Sequence, residues 1–225
     1  MMANPLPLFP LNVVLFPGMV LPLHIFEDRY RLMIRRCLNE GRPFGVLLIR
    51  EGKEVGEAAI PYEVGTSARI TRVERLDDGR MNITAIGAER FRVRRFRAGE
   101  PYLQGEVEPF PPTEGETPEA RRWAEIVRPL ISDYIGLLAR AAGLQLGLVE
   151  NLPEDPTALA FLTAIALQVS HEEKQRLLEI SSVPDILAEE RAFLRREDKL
   201  LRFMVETGPR LAELKAGPTG YLFPN

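Results

Sequence analysis

Five prolines fall between positions 5 and 22 of an otherwise strongly apolar stretch, Pro5-Leu6-Pro7-Leu8-Phe9-Pro10-Leu11-Asn12-Val13-Val14-Leu15-Phe16-Pro17-Gly18 followed by Met19-Val20-Leu21-Pro22-Leu23-His24-Ile25-Phe26. Each proline fixes its own φ, removes a ladder donor and pushes the preceding residue toward extended geometry. The stretch is therefore expected to be extended, yet unable to form a central strand along its whole length. Leu15-Phe16-Pro17-Gly18 reads as a turn, with Pro17 where φ must be fixed and Gly18 where positive φ is tolerated. A secretory leader needs basic residues ahead of an unbroken apolar run, whereas no Lys or Arg precedes Arg29. The expected product is an arch closing a compact β domain, with Phe9, Phe16 and Phe26 packed inside.

Downstream of this arch the pattern becomes helical. Tyr30, Met33, Ile34, Cys37 and Leu38 share one face over residues 27–39, and Gly41 with Pro43 stops the helix. Cys37 lies on that apolar face and reads as a small buried hydrophobe rather than a nucleophile. Phe44-Gly45-Val46-Leu47-Leu48-Ile49 predicts a strand covered on both faces. Alternation resumes from Gly65, Asp77-Asp78-Gly79 predicts a hairpin turn, and Met81, Ile83 and Ala85 mark the return strand. Gly87-Ala88-Glu89 is expected to bend the chain into residues 90–97, five of which are arginine. There the doubled Arg94-Arg95 suggests a bulge that returns Phe96 to the inside. Residues 102–108 are the last strand candidate.

Pro109-Phe110-Pro111-Pro112 ends the strand pattern, and residues 109–118 are expected to be a linker. Helical spacing follows. Thr117-Pro118 and Asp155-Pro156 are start signals, Ser170-His171-Glu172-Glu173 is a capping box, and Gly143 and Gly208-Pro209 are stops. Pro129 predicts a kink. The pairs Ile186/Leu187, Phe193/Leu194 and Leu200/Leu201 recur every seven residues, but Glu190, Arg191, Glu197 and Asp198 interrupt the seam, which favours a packed stripe over a coiled coil. The fold class is α+β: a β domain over residues 1–110, a helical bundle over 117–216, and an apolar tail over 217–225 whose Tyr221, Leu222 and Phe223 are contact candidates.

Composition excludes several chemistries. One cysteine in 225 residues rules out an internal disulfide and a multi-cysteine metal site. Net charge is +2 over residues 1–110 and −5 over the remainder, too little positive charge to advertise nucleic acid. No apolar run reaches membrane-spanning length, and a cytoplasmic address is expected. No Gly-x-Gly step or P-loop is present. With only His24 and His171 as histidines, and Gln175 where a zinc motif would need a second one, no metal or other cofactor is expected. A hydrolase assembled from Ser170 or Ser67 with His24 lacks any supporting spacing. The chain is expected not to be an enzyme.

One ordered series of residues is specific. Leu6-Pro7-Leu8-Phe9-Pro10-Leu11, Leu15-Phe16-Pro17-Gly18, Leu21-Pro22-Leu23-His24-Ile25-Phe26-Glu27 with Arg29-Tyr30, then Phe44-Gly45-Val46, Gly65-Thr66, Gly87 with Arg90-Phe91, Pro101-Tyr102-Leu103 and Glu173-Lys174-Gln175 resemble the N-terminal substrate-binding domain of Lon proteases. The resemblance implies a PUA-like β pseudo-barrel followed by a helical bundle, and a free-standing member without the ATPase and peptidase modules. It implies non-catalytic binding of unfolded or exposed polypeptide segments, or of a partner protein, through a groove of the β domain and its junction with the bundle. Candidate contacts are Phe16, Pro22, His24, Phe26, Glu27, Arg29 and Tyr30. An ATP-dependent protease or a second copy of the chain are further candidate partners. The alternative is RNA binding through Arg90, Arg92 and Arg94, for which the competing account is a solvated strand face paired with nearby glutamates.

Overall fold

The computed structural model describes residues 5–54, 59–142 and 152–216, with side chains through residue 203. The chain forms two compact units: one gathers the chain up to Glu114 together with Val169–Val183, the other takes Gly115–Gln168 and the chain from Pro184 on.

The first unit contains seven described strands, β1 (Leu6–Leu11), β2 (Val20–Ile25), β3 (Phe44–Glu51), β4 (Ile60–Pro61), β5 (Val64–Arg75), β6 (Met81–Arg97) and β7 (Gln104–Pro109). Neighbours run β1-β7-β6-β5-β3, and β1 pairs β3 in parallel, which closes the ring into a pseudo-barrel. β4 extends β3, and β2 pairs only with β6.

The proline-rich strand β1 closes the barrel by dividing its pairing. Leu6 and Pro7 lie opposite Gly105 and Gln104 of β7, whereas residues 8–11 pair with Gly45–Leu48 of β3. Leu8 donates to the Leu103 carbonyl (2.8 Å), so even-numbered residues face β7 and odd-numbered ones face β3. Pro10 therefore faces β7 beyond the end of that ladder, and Pro7 faces β3 before that ladder starts. Neither missing N–H costs a sheet bond.

The expected turn forms, with Met19 donating to the Phe16 carbonyl (3.1 Å) and Gly18 at φ 82°. It seats against β6, because Gly18 donates to Gly87 O (2.8 Å) and Gly87 donates to Met19 O (2.9 Å). β6 continues through Gly87 as one 17-residue strand, and at the expected place its register against β5 shifts by one residue between Gly87 and Arg90, a bulge. A Cβ at Gly87 would collide with the Phe16 carbonyl oxygen, so this glycine also serves close approach.

The core beneath the sheet combines Phe9, Leu15, Leu21 and Ile25 with Tyr30, Met33, Ile34 and Cys37 of α1 (Asp28–Glu40). Each fully buried large side chain of this kind contributes about 1.5–3 kcal/mol. Cys37 is buried, and burial pushes its thiol up to about 11. Two aromatic expectations are corrected. Phe26 is 48% exposed, because β2 ends at Ile25 and the next side chain falls on the outer side, and Phe96 is 37% exposed although the bulge between Val93 and Arg95 is present.

Helix α4 (His171–Glu179) carries the full capping box between Ser170 and Glu173. It groups with α1 and the strands rather than with the helices of the second unit, and Gln175 Nε2 donates to the Val64 carbonyl (3.1 Å). The first half of the expected linker is likewise tied down: Thr113 donates to Ser181 O (2.8 Å), and Val183 donates to Thr113 O (3.0 Å).

In the second unit, α2 (Pro118–Ala141) is capped by Thr117 and α3 (Pro156–Ala166) by Asp155. Val127, Ile131, Tyr134, Leu159, Ala160 and Ala164 are buried, and the Tyr134 hydroxyl accepts from the Gln168 amide (3.0 Å). Helix α5 (Val183–Ala216) continues past Gly208-Pro209, where a stop was expected. A proline removes one ladder bond, a cost that a long helix absorbs. Ile186, Leu187, Phe193 and Leu194 are buried as the sevenfold spacing implies, whereas Leu200 is 56% exposed. Gly143 and the tail, with Tyr221, Leu222 and Phe223, lie outside the described residues.

Candidate functional site

Three strands of the first unit present one outer face whose side chains follow from register. Val20, Ile86 and Arg69 form one cross-strand row, Pro22, Thr84 and Arg72 the next, and His24, Asn82 and Glu74 the third. Directly opposed residues in antiparallel pairs share a face, so these nine lie together. Val20 (57% exposed) and Ile86 (37%) form an apolar patch at one end. At the other, Phe26 stacks on His24 with centroids 6.0 Å apart. A shallow depression between them is lined by Pro22, His24, Arg72, Glu74, Asn82 and Thr84.

His24 is part of a hydrogen-bonded relay. The Asn82 amide nitrogen donates to Glu74 (3.2 Å), which leaves its oxygen to accept from His24 Nδ1 at 2.7 Å. His24 Nε2 then faces the Arg80 guanidinium at 3.5 Å, and Arg80 pairs with Asp78 (2.6 Å). The ring is held in one orientation, with no nucleophile beside it. Ser67 exchanges bonds with the Glu89 backbone and Ser170 caps α4, so neither hydroxyl forms a triad with His24. Among the described residues no group of three or more His, Cys, Asp or Glu is placed to hold a metal ion.

β2 is open on its far side. Met19 O accepts from Gly87, so alternation points the odd-numbered residues of β2 at β6 and leaves the backbone of Val20, Pro22 and His24 on the free edge. Pro22 thus removes the middle donor of that edge, a device that discourages strand addition.

The other sequence candidates divide. Phe16 is 1% exposed and shapes the turn and core. Tyr30 is buried and stacks on Phe9 at 3.9 Å, and burial raises its hydroxyl above the ordinary tyrosine value. Arg29 bridges Glu27 (3.0 Å) and covers the Tyr30 ring at 4.6 Å, at the mouth of a separate cleft with Lys53, Arg97 and Tyr102. Of the arginine strand, Arg90 is 2% exposed, and its Nη1 donates to Leu178 O (2.8 Å) and Ile180 O (2.6 Å). Desolvation lowers its pKa to about 10. Arg92 lies over Phe110 (4.5 Å), and Arg94 pairs with Glu108 (2.5 Å). Arg90 is therefore a structural clamp, unavailable to a surface ligand. Sequence reasoning missed Val20, Ile86, Arg69 and Arg72. The exposed apolar residues interrupting an outward polar face were the available signal, but register was needed to bring them together.

The description "ATP-dependent protease La (LON) substrate-binding domain" matches residues 5–196. Similar relatives include Lon protease 2 of Sorangium cellulosum, 28% identical over 94% of this chain and 27% of the relative, and Lon protease 2 of Syntrophobacter fumaroxidans, 31% identical over 75% and 21%. The chain spans about a quarter of the length of these relatives. Among solved structures, a Lon N-terminal domain protein from Xanthomonas campestris is 30% identical, with TM-score 0.59 over 83% of this chain and 96% of that one. The N-terminal domain of a Mycobacterium avium complex Lon protease has the same fold, with TM-score 0.66 at 22% identity over 85% and 98%. No described helix is long and apolar enough to cross a membrane.

Proposed function

The chain belongs to the Lon substrate-binding domain family, and from that premise we infer that it is a non-catalytic module that holds unfolded or exposed polypeptide segments on the outer face of β2, β6 and β5. The observation that carries this reading is the exposure of Val20, Ile86 and Phe26 on or beside a single sheet face whose third strand edge is free. Apolar side chains held open to water at one place mark a binding surface. An extended segment laid across the face buries its own apolar side chains against Val20, Ile86 and Phe26 without needing the edge donor that Pro22 removes. A separate ATP-dependent protease that receives the held segment is a partner in this reading.

The test is fluorescence anisotropy with a labelled, reduced and carboxymethylated polypeptide. Phe26→Ala and Ile86→Glu are each expected to weaken binding at least about fivefold, the loss of one buried apolar contact, while Arg94→Glu leaves it unchanged. Binding equal in all four proteins contradicts the reading. RNA binding through Arg90, Arg92 and Arg94 gains no comparable support, because of the three only Arg94 is exposed, and it is paired with Glu108.

A further inference from the structure

The outer face is not only apolar. Arg69 stands in the row of Val20 and Ile86, and Arg72 in the row of Pro22 and Thr84. Both are exposed. Neither has an ion pair or side-chain hydrogen bond among the described residues. Arg75 and Arg95 are likewise exposed without such a partner among the described residues, but only Arg69 and Arg72 stand in rows with Val20, Ile86, Pro22 and Thr84; Arg80 pairs with Asp78, Arg94 with Glu108, and Arg97 with Glu106. Glu74, the acid two residues beyond Arg72, is engaged by Asn82 at the His24 end of the face. The Val20 end thus combines aliphatic surface with two uncompensated cations.

Resting on the outer-face reading above, we propose that the segments this face selects carry a carboxylate about three residues from an apolar anchor, and that Arg69 and Arg72 set this preference. The spacing follows from sheet geometry. Neighbouring strands lie ~4.8 Å apart, so β2 and β5, on either side of β6, are separated by ~10 Å, and an extended chain covers that distance in about three residues at ~3.3 Å each. An anchor seated on Val20 and Ile86 therefore delivers an aspartate or glutamate to the guanidinium row. Arginine is suited to this, since its fork donates to both oxygens of a carboxylate in two-point geometry and it is weakly hydrated. The same cations would attract a nucleic acid phosphate, but a single-stranded nucleic acid also needs stacking platforms, and the patch beside Arg69 is aliphatic, with Phe26 already stacked on His24.

The experiment uses the full chain and three labelled unstructured peptides of equal phenylalanine content, with Glu, Gln or Lys three residues after each Phe. The Glu peptide is expected to bind about fivefold more tightly than the Gln peptide, as one or two exposed charge pairs allow. The Lys peptide should bind more weakly than the Gln peptide. The preference should vanish near 1 M salt, where the screening length is ~3 Å. R69Q/R72Q should bring the Glu- and Gln-peptide affinities to within about twofold of each other, and R69E/R72E should reverse the preference toward Lys. Equal binding of all three peptides by the unmodified protein, sensitive to Phe26→Ala, overturns this inference and leaves the outer-face reading standing. No binding of any peptide overturns both. Tighter binding of a labelled oligouridylate than of the Glu peptide, lost in R69Q/R72Q, overturns it in favour of nucleic acid.

Discussion

The arginines at the end of β6 and those beside the apolar patch on β5 differ. Residues 90–97 are dense in arginine and draw the eye in the sequence, yet the structure occupies four of the five: Arg90 clamps the Leu178 and Ile180 carbonyls, Arg92 covers Phe110, and Arg94 and Arg97 meet Glu108 and Glu106, while Arg95 stays exposed. Arg69 and Arg72 are sparse and unremarked in sequence, yet they stand open beside the apolar patch. Local charge density therefore says little about availability. What decides is whether neighbouring elements supply acceptors, and β7 and α4 supply them to the end of β6.

The sharpest way to break this comparison is Arg90→Ala, which strands the buried Leu178 carbonyl and the part-buried Ile180 carbonyl and removes a desolvated clamp; a loss of about 3 kcal/mol in urea unfolding is expected. A loss below about 1 kcal/mol would mean that Arg90 is not structural. Glu190 offers the converse case, a fully buried acid on α5 whose oxygens make no well-formed hydrogen bond among the described residues, with only the Ala164 amide to temper its burial. Burial raises its folded pKa well above the ordinary 4.5. The stability linked to its protonated form is therefore full below about pH 4.5 and is lost as pH rises toward the folded pKa. Glu190→Gln should remove that slope and raise stability at neutral pH relative to the unmodified protein, and identical pH profiles for the two proteins would contradict it. Arg92→Ala should cost about 1 kcal/mol through the lost Phe110 contact. Arg94→Ala should change stability by less than about 0.5 kcal/mol, since exposed ion pairs are worth little. Thermal melts that rank the three arginines otherwise would dissolve the contrast.

Much of the fold is legible because its signals are local. Gly18 and Pro17 form the expected turn, Gly41 caps α1 in the left-handed region, and Thr117, Asp155 and Ser170 cap their helices as their spacing implies. What was not legible depends on register and on distant acceptors. Gly87 reads as a bend, and a bulge does follow it, but its lack of a Cβ is required by Phe16, 71 residues earlier in the chain. Arg90 reads as part of an outward stripe but is drawn inward by carbonyls 88 and 90 residues away. Phe26 reads as core because it is aromatic within an apolar run, although the end of β2 places it outside. The candidate site splits the same way: His24, Pro22 and Phe26 come together on one face, Phe16 and Tyr30 go to the core, and the β5 and β6 members of the face emerge only once β2 is laid against β6.

The central claim is that polypeptide lies on the outer face of β2, β6 and β5, and site-specific photocrosslinking tests it most directly. A photoreactive phenylalanine analogue is placed at Phe26, at Ile86 or at Arg94, and each protein is irradiated with a denatured polypeptide. Crosslinks from positions 26 and 86, absent at 94, are the expected result. Crosslinks from position 94 alone, or equal yields from all three, would contradict the account.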